Sequence, residues 1–419
     1  MRRVCLLTLV ILAASPGAVH AARYVPGEVL VHDQRGTRVV ATPGAHSVLW
    51  TAGRLRARAG VDWAVPNYIA HAAQDFVPND PGRDGSGWQT MQWNFLPGNG
   101  VNAPGAWGNL IRAGRPGGGG VVVAVLDSGV AYENRGRYRR SPDFTARQFV
   151  RGYDFVANDA HPDDELGHGT FVAGTIAEKT NNGRALTGLA YGAKILPVRV
   201  LDTLGEGDAN TIGKGIRFAV KRGAKVINLS LVFDESQDAS DIPPIISALR
   251  YAHRKRVVVV GASGNDSGDV VAYPARAGDV ISVGATTQAG CLAAYSNTGS
   301  GLDLVAPGGG DNAVLSDDSS CDPTLAAGLP IFQLTYPHDG QVRRFGYPDD
   351  FEGTSFAAPH VAAAAALVIA SRVLGRNPSP ARVLARLRAT SRDVGAPGAD
   401  SSFGAGLLDA AAATAAAPT

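Results

Sequence analysis

At 419 residues with 45% hydrophobic content, the chain can bury a large core and exceeds the size of one small domain. A formal net charge of +2, from 39 basic and 37 acidic residues, excludes the broad basic footprint of a nucleic-acid binder and any strong bias toward acidic partners. Local basic clusters at residues 135–140 and 253–256 read as solvated loop or helix faces.

Residues 1–21 read as a secretory signal peptide: Arg2 and Arg3 give the charged end, residues 4–14 the apolar core, and Val19, His20 and Ala21 a small-residue cleavage site. Residues 22–77 have a different texture. Two strand-like runs, EVLVHD and VDWAVPNYIAHA, bracket an Arg-rich segment suited to a short helix, which predicts a small domain. A Pro/Gly/Asn-rich stretch over residues 72–87 is expected to be an accessible linker. From residue 78 to 412, the apolar runs VVVAVLD, KILPVRVL, KVINLSL, RVVVVGASGN and DVISVGAT alternate with helical stretches near 209–222 and 243–255. That alternation predicts a parallel sheet covered on both faces, an α/β architecture. The Ala-rich run 357–370 is too short to span a bilayer and reads as a buried helix. Ser379 and Pro380 cap and open a further helix, and residues 413–419 read as a frayed tail.

Cys5 leaves with the signal, so Cys291 and Cys321 remain as an even pair suited to an oxidising compartment. A disulfide between them is the natural expectation, with two separate buried thiols as the alternative.

Three polar residues stand out in the order Asp, His, Ser. Asp127 ends a buried strand, where open α/β sheets place ligands, and a carboxylate there can hold one imidazole tautomer. His168 lies between two glycines at a helix start and titrates near neutrality, which suits a proton shuttle. His161 and His360 lack that setting and read as structural. Ser355, in GTSFAAPHVA, opens an Ala-rich helix whose unpaired N–H groups face a developing oxyanion, and it needs His168 as its base. Asn265 ends another apolar run and offers an amide donor to the same oxyanion. An esterase elbow G-x-S-x-G does not occur, and an acid peptidase would carry a carboxylate in place of His168. A silent peptide-binding homologue would keep Ser230 and Gly205 but could lose members of the Asp-His-Ser set, and all are present.

With these boxes, the LSL stretch, the GN element, AYPARAGDVISVGAT and the terminal GAGLLDA, the chain resembles the secreted subtilisin-like serine proteases (subtilases). The resemblance implies a three-layer fold with a central parallel sheet flanked by helices, preceded by a small α+β propeptide-like segment, here shortened by one missing helix. It implies a serine endopeptidase with Asp127, His168 and Ser355 as triad and Asn265 in the oxyanion hole. Ser230 and Leu231 would form one substrate strand and Gly205, Glu206 and Gly207 the other. Gly264 would also bind substrate, and Val232, beside the primary specificity pocket, and Ala272 stand at two usual glycine positions, which implies a shallower pocket for small or medium apolar P1 residues. Asp143 and Asn182, completed by Asp80 or Gln92, would hold a structural calcium, with no cofactor for catalysis. Phe171 replaces a usual histidine, and an insertion over residues 321–350 precedes the nucleophile box. The partners implied are polypeptide substrates and the chain's own propeptide, with no nucleic acid and no membrane after signal removal. A monomer, extracellular or periplasmic, completes the expectation.

Overall fold

A computed structural model describes residues 24–43, 47–68, 76–315, 321 and 328–416. The signal segment and the last three residues lie outside the described residues. The chain divides into two compact units between Gln74 and Asp75, three residues before the boundary expected from sequence.

In the first unit, β1 (Tyr24–Asp33), β2 (Gly36–Ala41) and β3 (Val61–Tyr68) form an antiparallel sheet in the order β2-β1-β3, packed by α1 (Val48–Arg56). Alternation along β1 turns Val29 and Val31 inward, onto Val48, Ala52 and Leu55 of the helix. Ser47 caps α1 by accepting the Trp50 N–H.

The second unit holds α2 (Ala103–Arg112), β4 (Val122–Asp127), β5 (Tyr153–Asp154), α3 (His168–Ala177), β6 (Lys194–Arg199), α4 (Ala209–Lys221), β7 (Val226–Leu229), α5 (Pro243–Arg254), β8 (Val258–Ala262), β9 (Ile281–Thr286), β10 (Leu304–Pro307), α6 (Thr354–Ser371), α7 (Pro380–Thr390) and α8 (Ala410–Thr414). Seven parallel strands run in the order β10-β9-β8-β7-β4-β6-β5. Successive side chains of β4 point to opposite layers. Val123 and Val125 join α2, α3, α6 and α8, whereas Ala124 and Leu126 join α4 and α5. This is the three-layer α/β fold that the alternation predicts. Beyond β4 the chain adds β6 on one side and β7 on the other, so the strand order reverses there. The carboxyl end of β4 is therefore a topological switch point, and Asp127 is its last residue.

The Ala-rich run belongs to an 18-residue helix, α6, longer than the run itself and by composition just able to cross a membrane. Its place is the core: 83% of it is buried, against β7, β8 and β9. Two expectations are corrected. From residue 76 the supposed linker is built into the second unit: Pro78 and Asp80 are buried, Trp88 Nε1 donates to the Pro78 carbonyl, and Gly82 N–H donates to Ala185 O. Nor is the tail frayed through residue 415. Asp409 caps α8, and Arg386 of α7 donates to the carbonyls of Ala412, Ala413 and Ala415. Cys291 and Cys321 are joined by a disulfide, with Cα atoms 5.6 Å apart.

Candidate active site

Asp127 is fully buried at the end of β4. Its Oδ1 accepts the Ser128 N–H at 2.8 Å and faces His168 Nδ1 at 2.7 Å. A carboxylate oxygen only accepts, so Nδ1 carries the proton and Nε2 is left as a base. This approach depends on Gly169: a Cβ there would stand 2.1 Å from Gly129 O and 3.1 Å from Asp127 Oδ1. Burial disfavours protonation of His168. The charge and hydrogen bond of Asp127, with a smaller contribution from Asp164, outweigh that cost and hold its pKa above the ordinary value of 6.5. The ring is 21% exposed and packs against Phe356, centroids 5.2 Å apart.

The loop leading into α3 is organised by Asp164, which sequence reasoning missed. Oδ1 accepts from Ser128 Oγ and from the N–H groups of Leu166 and Gly167; Oδ2 accepts the N–H and hydroxyl of Thr170. Ser128 Oγ in turn accepts the Gly169 N–H. An acid four residues before a Gly-flanked histidine is the sequence signal that was there to be read.

Ser355 is the second residue of α6. Thr354 N–H donates to Asn265 Oδ1, and the Phe356 and Ala357 N–H groups donate to Gly353 O. The Ser355 N–H is thus left without a partner among the described residues, as the opening of a helix allows. Pro359 has no N–H to donate to the Ser355 carbonyl one turn back. That carbonyl instead accepts Ser230 Oγ at 2.6 Å, pinning the helix start to the end of β7. Ser355 Oγ donates to Ser230 O at 3.3 Å.

Asn265 is exposed beyond β8. Its Oδ1 accepts both the N–H and the hydroxyl of Thr354, each at 2.9 Å, which turns the NH2 end away from these two donors. Thr354 is a second residue that sequence reasoning passed over.

A cleft of about 690 Å³ has His168 and Ser355 in its wall, together with Gly205, Glu206, Gly207, Ser230, Leu231 and Val232. Gly264 and Ala272 are not brought to that wall. Ala272 is fully buried, and Gly264, at φ 121°, abuts the Asn297 amide, which a Cβ would meet at 2.2 Å. Phe171 is buried in an aromatic cluster with Phe351 and Phe356. His360 is buried with Asn94, its pKa pushed down to about 4 by burial, and His161 pairs with Glu133.

A second polar cluster involves Asp80, Asp143, Glu178 and Asn182. Asp80 accepts the Asn181 and Asn182 N–H groups, and Asn182 Nδ2 donates to Asp143 Oδ1. Among the described residues, Asp143 Oδ2 and both Glu178 carboxylate oxygens are buried without a well-formed hydrogen bond, the Leu334 N–H being turned toward Glu178. Burial, opposed by the Asn182 bond and reinforced by Asp80, pushes the Asp143 pKa to about 7. Gln92 does not complete this cluster: both ends of its amide are committed to Thr187. Partnerless buried carboxylate oxygens suit a hard cation. Among the described residues, no three His, Cys, Asp or Glu side chains converge as metal ligands.

The sequence pattern of the subtilase family matches residues 118–406. Subtilisin Savinase of Lederbergia lenta is 36% identical over 328 residues, 78% of this chain and 99% of that protein. A thermophilic serine proteinase of Bacillus sp. strain AK1 is 35% identical over 317 residues, 76% of this chain; the chain spans only 64% of that relative's length. Among solved structures, a protease from Pseudoalteromonas arctica PAMC 21717 aligns with a TM-score of 0.65 at 31% identity, covering 81% of this chain and 99% of the other.

Proposed function

The chain belongs to the subtilase family, and from that membership we propose that it is a serine endopeptidase working through an acyl-enzyme on Ser355. Ser355 Oγ, turned about χ1 from the Ser230 carbonyl toward His168, gives its proton to Nε2 as it attacks the scissile carbonyl. Asp127 stabilises the imidazolium. The new oxyanion accepts hydrogen bonds from the Ser355 N–H and the Asn265 amide. As the C–N bond breaks, the imidazolium returns its proton to the departing amine. Water then repeats the sequence on the ester and releases the acid.

The substrate lies extended between residues 205–207 and 230–232, adding as a strand. Val232 in the cleft wall supports a preference for small or medium apolar P1 residues, and that reading no longer leans on Ala272. Asp80, Asp143 and Asn182 are the residues that would hold a structural calcium ion, supported by the partnerless Asp143 Oδ2. When bound, the ion supplies charge compensation for the carboxylates and takes no part in the chemistry. Residues 1–21 act as a secretion signal and residues 22–77 as a propeptide removed on activation, leaving a monomer outside the cytoplasm.

The observation that carries this reading is the 2.7 Å contact between His168 Nδ1 and Asp127 Oδ1 at the cleft that also holds Ser355. A fluorophosphonate probe is expected to label the mature protein and not a Ser355→Ala variant. Labelling or peptide hydrolysis surviving in that variant would reject the nucleophile.

A further inference from the structure

The hairpin whose Thr335 and Gly346 exchange two main-chain bonds, at 3.1 and 2.8 Å, has no part in the chemistry above. One side of it grips the loop that carries His168. Thr335 Oγ1 donates to Gly167 O at 2.6 Å, Tyr336 OH to Asp164 O at 3.3 Å, and Gly340 N–H to Glu165 O at 3.0 Å. Its other side meets residues 136–139: Arg139 N–H donates to Val342 O, and Arg343 Nε donates to Arg137 O across a sequence separation of 206. Tyr336 and Val342 are buried between these contacts with Ala131, so the hairpin is fixed in place.

The packing brings together two basic segments that look unrelated in sequence. Arg135 is answered by Glu133 and Asp163, and Arg137 by Glu165. The guanidinium groups of Arg139 and Arg343 donate only to main-chain carbonyls. The Arg344 N–H donates to Gln341 O, and its guanidinium has no hydrogen bond or ion pair among the described residues. Among the described residues these three exposed cations therefore lack a carboxylate partner, and Asp339 is the one acid within residues 335–346. On a chain with a net charge of only +2, this is a local concentration of one sign.

We propose that this arginine surface is an accessory docking site for acidic segments of the polypeptide substrate, a proposal that rests on the protease reading of the cleft. Leu166 lines the cleft, and its neighbours Glu165 and Gly167 are the residues the hairpin holds. On this reading a polypeptide that extends past the Leu166 loop meets the hairpin held against it, which carries Arg343 and Arg344. Guanidinium forks match carboxylates in geometry as well as charge. Attraction at such exposed sites fades over a Debye length of roughly 8–10 Å, so it serves segments that have already entered the cleft or are approaching it.

The test compares kcat/KM for peptides sharing one cleavable core and carrying a short run of Asp or of Asn at either end. A small chromogenic amide, too short to reach the hairpin, reports basal activity. The expected result is a preference for Asp over Asn at one end of about three- to tenfold at low salt, lost near 0.5 M salt. Arg139→Ala/Arg344→Ala, which leaves the Arg343 tie intact, should erase the preference while hydrolysis of the Asn peptides and the amide stays unchanged. Arg139→Lys/Arg344→Lys should retain part of it. No preference at either end, or a preference that survives in the Ala/Ala variant, would overturn the proposal. So would binding of an oligonucleotide to the arginines with no kinetic preference among peptides. If the parent cleaves none of these substrates, the protease reading itself fails, and the docking proposal with it.

Discussion

At the histidine loop, Asp164 is fully buried and every lone pair that matters to it is used, by five donors from residues 128, 166, 167 and 170. In the cluster around Asn182, Asp143 and Glu178 are buried as deeply, yet among the described residues three of their carboxylate oxygens lack a well-formed hydrogen bond, with only the Leu186 and Leu334 N–H groups turned toward the two carboxylates. Burial raises the pKa of all three groups. For Asp164, hydrogen bonds work against that rise. For Glu178, the charges of Asp143 and Asp80 add to it. Asp164 is therefore balanced by its own donors, although Asp127 Oδ2 beside it lacks one among the described residues, whereas the second region needs protons or a cation from solution. The proposed catalytic residues belong to the first region, so its variants should cost activity, whereas variants of the second should cost stability.

The largest effect is expected from Asp127→Asn. The amide cannot hold the same imidazole tautomer, and kcat should fall by about 10⁴ with little change in melting temperature. The pH profile sharpens this. Because the folded pKa of His168 lies above 6.5, the parent should lose activity as pH falls through a midpoint above that value. In Asp127→Asn the residual activity should show that acid limb at lower pH, since the charge that raised it is gone.

Asp164→Asn comes next. Replacing Oδ2 by NH2 sets a donor against the Thr170 N–H, an unsatisfied pair costing about 1–3 kcal/mol. Both melting temperature and kcat should drop, the latter by about tenfold or more through a loosened His168. The acid limb should again move down, by less than in Asp127→Asn, because Asp164 is the smaller contributor. An unshifted limb would show that Asp164 acts on geometry alone.

How much of this was readable beforehand follows the same division. Asp127, His168 and Ser355 each sit where a run of one kind ends, an apolar strand or a helix opening, and such boundaries are local. The strands at 122–127 and 258–262 were legible from continuous apolar runs, but β5 has two residues and β10 four, too few to carry a pattern. The role of Asp164 is set by the approach of residues 128 and 170, and the orientation of Asn265 by Thr354, 89 residues away. No local pattern encodes those meetings. The same holds for residues 76–87, whose Pro and Gly content reads as a linker although their partners lie at 181–185.

For the second region, chelation is expected to lower the melting temperature of a Ser355→Ala protein by several degrees, measured against saturating calcium. An ion at about 100 times its Kd contributes roughly 2.7 kcal/mol. The pH dependence carries the sign. In chelator, Asp143 titrates near about 7 in the folded chain against an ordinary 3.8, so between those values the folded state binds the extra proton. Stability should then fall as pH rises through that window, and calcium should flatten the slope. A melting temperature indifferent to chelator would remove the cation and leave protons as the only compensation.

The smallest effect, and the one that separates charge from shape, is Glu178→Gln. The amide keeps the volume of the buried side chain and cannot carry the charge that Asp143 and Asp80 oppose. If like-charge repulsion is what the region lacks an answer to, the variant should melt higher than the parent in chelator by a few degrees at neutral pH, corresponding to about 1 kcal/mol. It should melt no higher than the parent in calcium, narrowing the gap between the two conditions. At pH about 4, where Glu178 is protonated in both states, the difference should vanish. A variant destabilised equally in chelator, in calcium and in acid would mean that the Glu178 oxygens depend on geometry the amide cannot reproduce, and that the contrast between the two regions is one of packing rather than charge.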